Sequence, residues 1–171
     1  MKRWLVLSLV MAAAFAAGIL GGHARLASSP KAERLDTTLS FSDHMGSAHR
    51  LSEWQGKWLA VNFWAPWCTP CLEEIPLFTE AQAALGSQGL QVIGIALDDA
   101  GNVAQYLAEK PLNYPVLMGD ENGVGLAAAL GNEYGVLPYT VIFAPDGHIA
   151  HTQLGPFQQT EFADLVKGLM R

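Results

Sequence analysis

The chain has 171 residues, half of them hydrophobic, with 9% aromatic and 15% charged side chains. That is enough apolar material for one closed core of ordinary domain size. Ten Lys and Arg stand against 16 Asp and Glu, a formal charge of −6; with no basic cluster to displace phosphate counterions, nucleic-acid binding is set aside.

The chain opens on Met1-Lys2-Arg3-Trp4 and continues with Leu5 to Gly22, where Ser8 is the only polar side chain. A basic start before an apolar run is the pattern of a secretory signal or an uncleaved anchor. The 18-residue length favours an anchor, because that many apolar residues nearly span a bilayer. The alanines favour cleavage, after Ala24, since Ala is only weakly hydrophobic. Residues 1–24 are therefore assigned as signal peptide or membrane anchor, with the anchor preferred. Lys2 and Arg3 should stay inside and send the rest across the membrane; Arg25, Lys31 and Arg34 pull the other way. Residues 25–37 read as a linker, and 38–171 as the folded domain.

Within that domain Thr38 to Ser42 alternates polar and apolar side chains, Gly46 marks a turn, and Ala48 to Leu51 returns: a hairpin. Trp58 to Trp64 is a mostly apolar run, as in a strand buried on both faces. Helical spacing then runs from Thr69 to about Leu85, with Pro70 in the first turn and Pro76 inside. Leu90 to Leu97 reads as a strand, Asp98 to about Lys110 as a helix and Tyr114 to Leu117 as a short strand. Gly125 to Leu130 reads as a short helix, and Thr140–Phe143 with His148–Leu154 as a hairpin closed by Pro145-Asp146-Gly147. Thr160 caps a last helix to Met170. The order predicts an α/β fold with a mixed central sheet, helices on both faces and an N-terminal β-hairpin in front.

The chain has two cysteines, Cys68 and Cys71, three positions apart. A bridge over so short a loop constrains the unfolded chain little, so the spacing suits chemistry better than stapling. The pair falls where a strand gives way to a helix. There the helix dipole favours a thiolate on Cys68, the nucleophile, while Cys71 lies one turn deeper, placed to resolve a mixed disulfide. Zinc would need about four ligands, and His44, His49, His148 and His151 form no ligand pattern with the motif. Haem attachment would need His at position 72, which is Leu. No metal and no cofactor is expected. An inert structural disulfide is the plain alternative.

Val61-Asn62-Phe63-Trp64-Ala65-Pro66-Trp67-Cys68-Thr69-Pro70-Cys71, with Pro76 beyond it and Gly135-Val136-Leu137-Pro138-Tyr139-Thr140 further on, resembles the thioredoxin superfamily, in particular its exported TlpA/ResA-like branch. The resemblance runs from about Thr38 to the C-terminus. It implies a thioredoxin-like fold, a redox disulfide Cys68–Cys71, and a cis Leu137–Pro138 bond beside the cysteines. It also implies a substrate-binding surface of Trp67, Thr69, Pro70 and Leu137. Thioredoxins proper carry a buried Asp where this chain has Asn62, which cannot take the Cys71 proton. The exported branch has a Glu at the place of Glu74, three residues beyond Cys71 and on the same helix face. Glu74 is the proton acceptor this implies, with a raised pKa; a solvated helix glutamate is the other reading.

The expected function is a protein-disulfide oxidoreductase in the bacterial periplasm, anchored to the inner membrane. It would reduce disulfides in exported proteins, cytochrome maturation among the pathways it would serve, with electrons from a membrane-embedded thiol reductase. The uncharged Thr69-Pro70 pair favours the reductant direction, since strong oxidants of this kind place a His between the cysteines. The alternatives are a disulfide oxidase or isomerase and a non-enzymatic copper- or thiol-handling module. A peroxidase has less support, because nothing outside the motif suggests a peroxide-activating pocket.

Overall fold

The computed structural model describes residues 32–171; residues 1–31, which carry the signal or anchor and most of the linker reading, lie outside the described residues. Strands β1 (Ser40–Ser42) and β2 (Ala48–Arg50) form a two-stranded antiparallel hairpin. A 3₁₀ turn over Leu51–Trp54 leads into β3 (Trp58–Trp64), followed by α1 (Thr69–Leu85), β4 (Leu90–Ala96) and α2 (Ala100–Glu109). Then come β5 (Val116–Met118), α3 (Glu121–Ala129), β6 (Tyr139–Phe143), β7 (Ile149–Leu154) and α4 (Glu161–Leu169).

The main sheet has the order β5-β4-β3-β6-β7. Strands β3, β4 and β5 run parallel; β6 pairs antiparallel with β3, and β7 antiparallel with β6. The mixed sheet and preceding hairpin are the α/β architecture expected from the sequence.

Side chains alternate across the sheet, so β3 sorts its residues into two layers. Leu59, Val61 and Phe63 join Ile93, Ile95, Val141 and Phe143 beneath the hairpin and α3. Ala60 and Trp64 join Cys68, Cys71, Phe78, Phe157, Phe162 and Val166 on the face covered by α1 and α4. Phe78 and Phe162 meet edge-on with centroids 4.5 Å apart, a geometry that suits the aromatic quadrupoles. On β4 a glycine is required: a Cβ at Gly94 would stand 2.9 Å from the Trp64 indole nitrogen. The indole therefore packs closely over Gly94, next to the cysteine turn.

Several boundaries differ from the sequence reading. The helix expected at Gly125–Leu130 starts at Glu121, capped by the Asp120 carboxylate accepting from the Asn122 N–H. Within it, Gly123 lets the helix approach the Ile95 and Leu97 side chains. The strand expected at Tyr114 begins at Val116, after Pro115. The linker reading does not describe residues 32–37. There Leu35 N–H donates to Gly147 O (2.9 Å), Ile149 N–H donates to Glu33 O (3.0 Å), and Ala32 and Leu35 pack on the core. Their backbone groups are bound to the β6–β7 turn, which fixes the segment as part of the domain.

Candidate active site

Strand β3 ends at Trp64, and Ala65 to Trp67 turn the chain into α1, with Cys68 at the N-cap. The Cys68 N–H donates to Ala65 O (3.1 Å), and the Cys68 carbonyl accepts from the N–H groups of Cys71 (3.0 Å) and Leu72 (3.1 Å). Pro70, within the first helical turn, has no N–H to satisfy. These bonds hold both sulfurs on the inner side of one turn. The structure records them as a disulfide, S–S 2.02 Å with Cα atoms 5.3 Å apart. Cys68 is 5% exposed and Cys71 fully buried. Where a helix opens, its dipole stabilises negative charge, so on reduction the position favours a thiolate at Cys68.

Around the disulfide, Trp67 is 68% exposed and Thr69 also faces solvent, whereas Trp64 is buried. The Leu137–Pro138 peptide is cis, with Pro138 buried and Leu137 half-buried. The loop before it is braced by Asn132, whose side chain accepts from Val136 N–H (3.0 Å) and donates to Val136 O (2.9 Å). The Tyr139 hydroxyl ties the same loop to Leu130 O at 2.8 Å. Val136 and Tyr134 stand exposed on its outer side.

Beneath Cys71, one turn along α1, Glu74 is completely buried while its neighbour Glu73 is exposed. Asn62 Nδ2 donates to Glu74 Oε1 at 2.9 Å and also to Thr140 Oγ1 at 3.0 Å. The backbone N–H of Phe157 donates to Glu74 Oε2 at 3.0 Å. Loss of water pushes the Glu74 pKa up to about 7, against the two hydrogen bonds, which favour the charged form. Burial also raises the Tyr114 phenol, helped by charge on Tyr106 and Glu74. Asn62 Oδ1 and Trp64 Nε1 are buried with no partner.

The sequence had singled out the cysteines, Glu74 and the proline loop. It had missed Asn62, Thr140 and the Phe157 N–H as the group that holds Glu74. One signal was available: the two-residue period of β3 puts Asn62 on the face of Ala60 and Trp64, toward α1. No set of three His, Cys, Asp or Glu side chains among the described residues is arranged to hold a metal ion.

The model of the AhpC/TSA family matches residues 31–152. The chain is similar to the thiol-disulfide oxidoreductase ResA of Geobacillus thermodenitrificans, 30% identical over 106 residues, covering 61% of this chain and 58% of the relative. It is also similar to the ResA of Bacillus subtilis, 25% identical over 129 residues, covering 73% of this chain and 70% of that one. Among solved structures, a thiol:disulfide interchange protein of the thioredoxin family from Chlorobium tepidum TLS superposes with a TM-score of 0.70. It is 26% identical, and the superposition covers 84% of this chain and 98% of that one. The chain belongs to the AhpC/TSA family and, within the thioredoxin superfamily, to its TlpA/ResA-like branch.

Proposed function

We propose that the chain is a thiol–disulfide oxidoreductase that reduces disulfides in exported proteins through Cys68 and Cys71. The observation that carries this reading is a Cys68–Cys71 disulfide at a helix N-cap, one turn from a buried carboxyl whose pKa is raised to about 7. The names of the ResA relatives support the same chemistry. The Cys68 thiolate attacks a substrate disulfide and forms a mixed disulfide, expelling one substrate thiolate. Glu74 takes the Cys71 thiol proton. The Cys71 thiolate then attacks Cys68 Sγ, the internal disulfide closes, and the second substrate thiolate leaves with the remaining electron pair. Two electrons pass from the dithiol to the substrate. Trp67, exposed next to Cys68 in the chain, forms with Thr69, Pro70 and Leu137 the surface a polypeptide substrate would meet; Leu137 packs on the cluster that holds the cysteines.

The uncharged Thr69-Pro70 pair supports the reductant direction, because no positive charge stabilises the reduced form beyond the helix dipole. A potential as oxidising as about −120 mV would contradict it. The basic, apolar N-terminal stretch supports export and a place at the inner membrane facing the periplasm, and a membrane-embedded thiol reductase is the electron donor this location needs. Cytochrome maturation is one pathway with such substrates. Among the described residues no helix is long and apolar enough to cross a membrane, so the anchor reading rests on residues 1–24 alone.

The test is turnover and trapping together. Reduction of an insulin-type disulfide should fall to background in Cys68→Ser, and Cys71→Ala should accumulate a mixed disulfide at Cys68. Undiminished turnover in Cys68→Ser would remove the proposal.

A further inference from the structure

Asn62 lies in the middle of the sheet, fully buried, with its carboxamide between α1 and β6. Its nitrogen gives both of its protons away, to Glu74 Oε1 and Thr140 Oγ1. Its oxygen, equally buried, accepts from nothing. A buried amide with a spent donor and an idle acceptor is unusual, since leaving a buried acceptor unpaired costs stability. The alternative orientation, rotated by 180°, would turn Oδ1 toward both Glu74 and Thr140 and exchange those two donor bonds for two acceptor bonds, with Nδ2 then at the position where Oδ1 now has no partner. The Thr140 hydroxyl can supply a proton to that oxygen, because a hydroxyl both donates and accepts. Glu74 can do so only when protonated; ionised, it would meet Oδ1 with like negative charge. The orientation in the structure is therefore the one an ionised Glu74 requires.

We propose that Asn62 is a positioning residue whose carboxamide switches with the protonation of Glu74: Nδ2 faces the carboxylate, and Oδ1 faces the acid formed once the Cys71 proton has been taken. Thr140 follows by reversing its hydroxyl from acceptor to donor. Phe157 N–H holds Oε2 in both states, which leaves Oε1 as the oxygen that gains and loses the proton. The proposal rests on Glu74 as the acceptor for Cys71. The step is a proton transfer alone: the S–H bond of Cys71 breaks, an O–H bond forms at Glu74, and no electrons change hands until the thiolate attacks Cys68.

The titratable groups around Glu74 are Cys68 and Cys71 on its own helix, Tyr114 ahead of β5 and, beyond Phe157, His151 on β7; its hydrogen-bond partners from β3 and from the segment before α4 are uncharged at all pH values. With the phenol raised by burial, Glu74 is the carboxyl beside the cysteines that is raised to about 7. A fixed amide would keep stabilising the charged form; a switching amide lets the same site hold the proton and release it.

Two measurements test this in the full chain. In ¹⁵N-labelled oxidised protein, the Asn62 side-chain amide resonances should shift with the midpoint at which Glu74 titrates, and be flat in Glu74→Gln. In the reduced protein, the rate at which Cys71 releases a small-molecule thiol from the mixed disulfide at Cys68 should rise with pH through the same midpoint. A fixed donor would stabilise the carboxylate alone, so its loss in Asn62→Leu would move that midpoint up by about one to two pH units; a switching amide serves both forms, and the midpoint should move by less than about one unit. If Glu74→Gln leaves the rate profile unchanged, the proton-acceptor reading falls, and the switch with it. If Glu74→Gln alters the profile and Asn62→Leu moves its midpoint up by the full shift of about one to two units, only the switch falls. Should Asn62→Leu fail to fold, the amide titration decides alone: a pH-invariant Asn62 resonance beside a titrating Glu74 overturns the proposal.

Discussion

Two carboxylate sites in this molecule take hydrogen bonds of similar length and respond in opposite ways. On the hairpin side, Glu53 accepts from the Arg50 N–H at 2.7 Å and lies 3.1 Å from His49 Nδ1, while Asp43 accepts from the N–H groups of Met45 and Ser47. Both acids are held below their ordinary pKa, led by those backbone hydrogen bonds, and His49 between them is raised, chiefly by Glu53. Beneath the disulfide, Glu74 accepts at 2.9 and 3.0 Å from Asn62 and Phe157, yet its pKa is raised to about 7. What separates the two is water. The hairpin acids keep enough hydration for the hydrogen bonds to decide; at Glu74, completely buried, desolvation outweighs them. The same carboxylate chemistry gives an acid held below its ordinary pKa in one place and one raised to about 7 in the other.

The largest effect expected from this contrast lies in Glu74→Gln. The folded protein holds the Glu74 proton up to about pH 7, whereas the unfolded chain releases it near 4.5. Its contribution to stability is therefore fully present below 4.5 and is lost as pH rises to 7, a cost of about 3 kcal/mol for ionising it in place. Denaturant unfolding of the oxidised protein at pH 5 and pH 8 should show this loss in the native sequence and not in Glu74→Gln. An identical pH dependence in both would break the contrast.

Thr140→Val sharpens it. The substitution keeps the volume but leaves one Asn62 N–H buried without an acceptor, at about 1–3 kcal/mol. The urea midpoint should drop by a matching amount, with the Glu74 titration retained. On the hairpin the smallest effect is expected. The raised His49 adds stability that is complete below its unfolded value of 6.5 and disappears as pH rises through the folded value. An NMR titration should place His49 above 6.5, with the shift shrinking in high salt because the pair is exposed. His49→Gln should leave the global unfolding midpoint almost unmoved.

What the sequence disclosed, and what it hid, divides along the range of the contacts. The β3 run from Trp58 to Trp64, the turn and the helix from Thr69 to Leu85 are local patterns, and they could be read directly. So could the position of Glu74, one turn from Cys71. Its surroundings could not. Asn62 is 12 residues from Glu74, Thr140 is 78 from Asn62, and the Phe157 N–H is 83 from Glu74. No periodicity brings such residues together; only the β3–β6 pairing and the return of the chain before α4 do so. Residues 32–37 failed for a related reason. They bind through backbone groups to the β6–β7 turn, and backbone pairing leaves little trace in side-chain composition.

The central claim is that a carboxyl able to take and return a proton near neutrality lies directly beneath the disulfide. Carbon-13 NMR of the oxidised protein labelled at glutamate side-chain carboxyls tests it most directly. The account predicts one carboxyl, absent from the spectrum of Glu74→Gln, titrating with a midpoint about 7 while Glu53 titrates below 4.5. All glutamates titrating below pH 5, Glu74 among them, would contradict it.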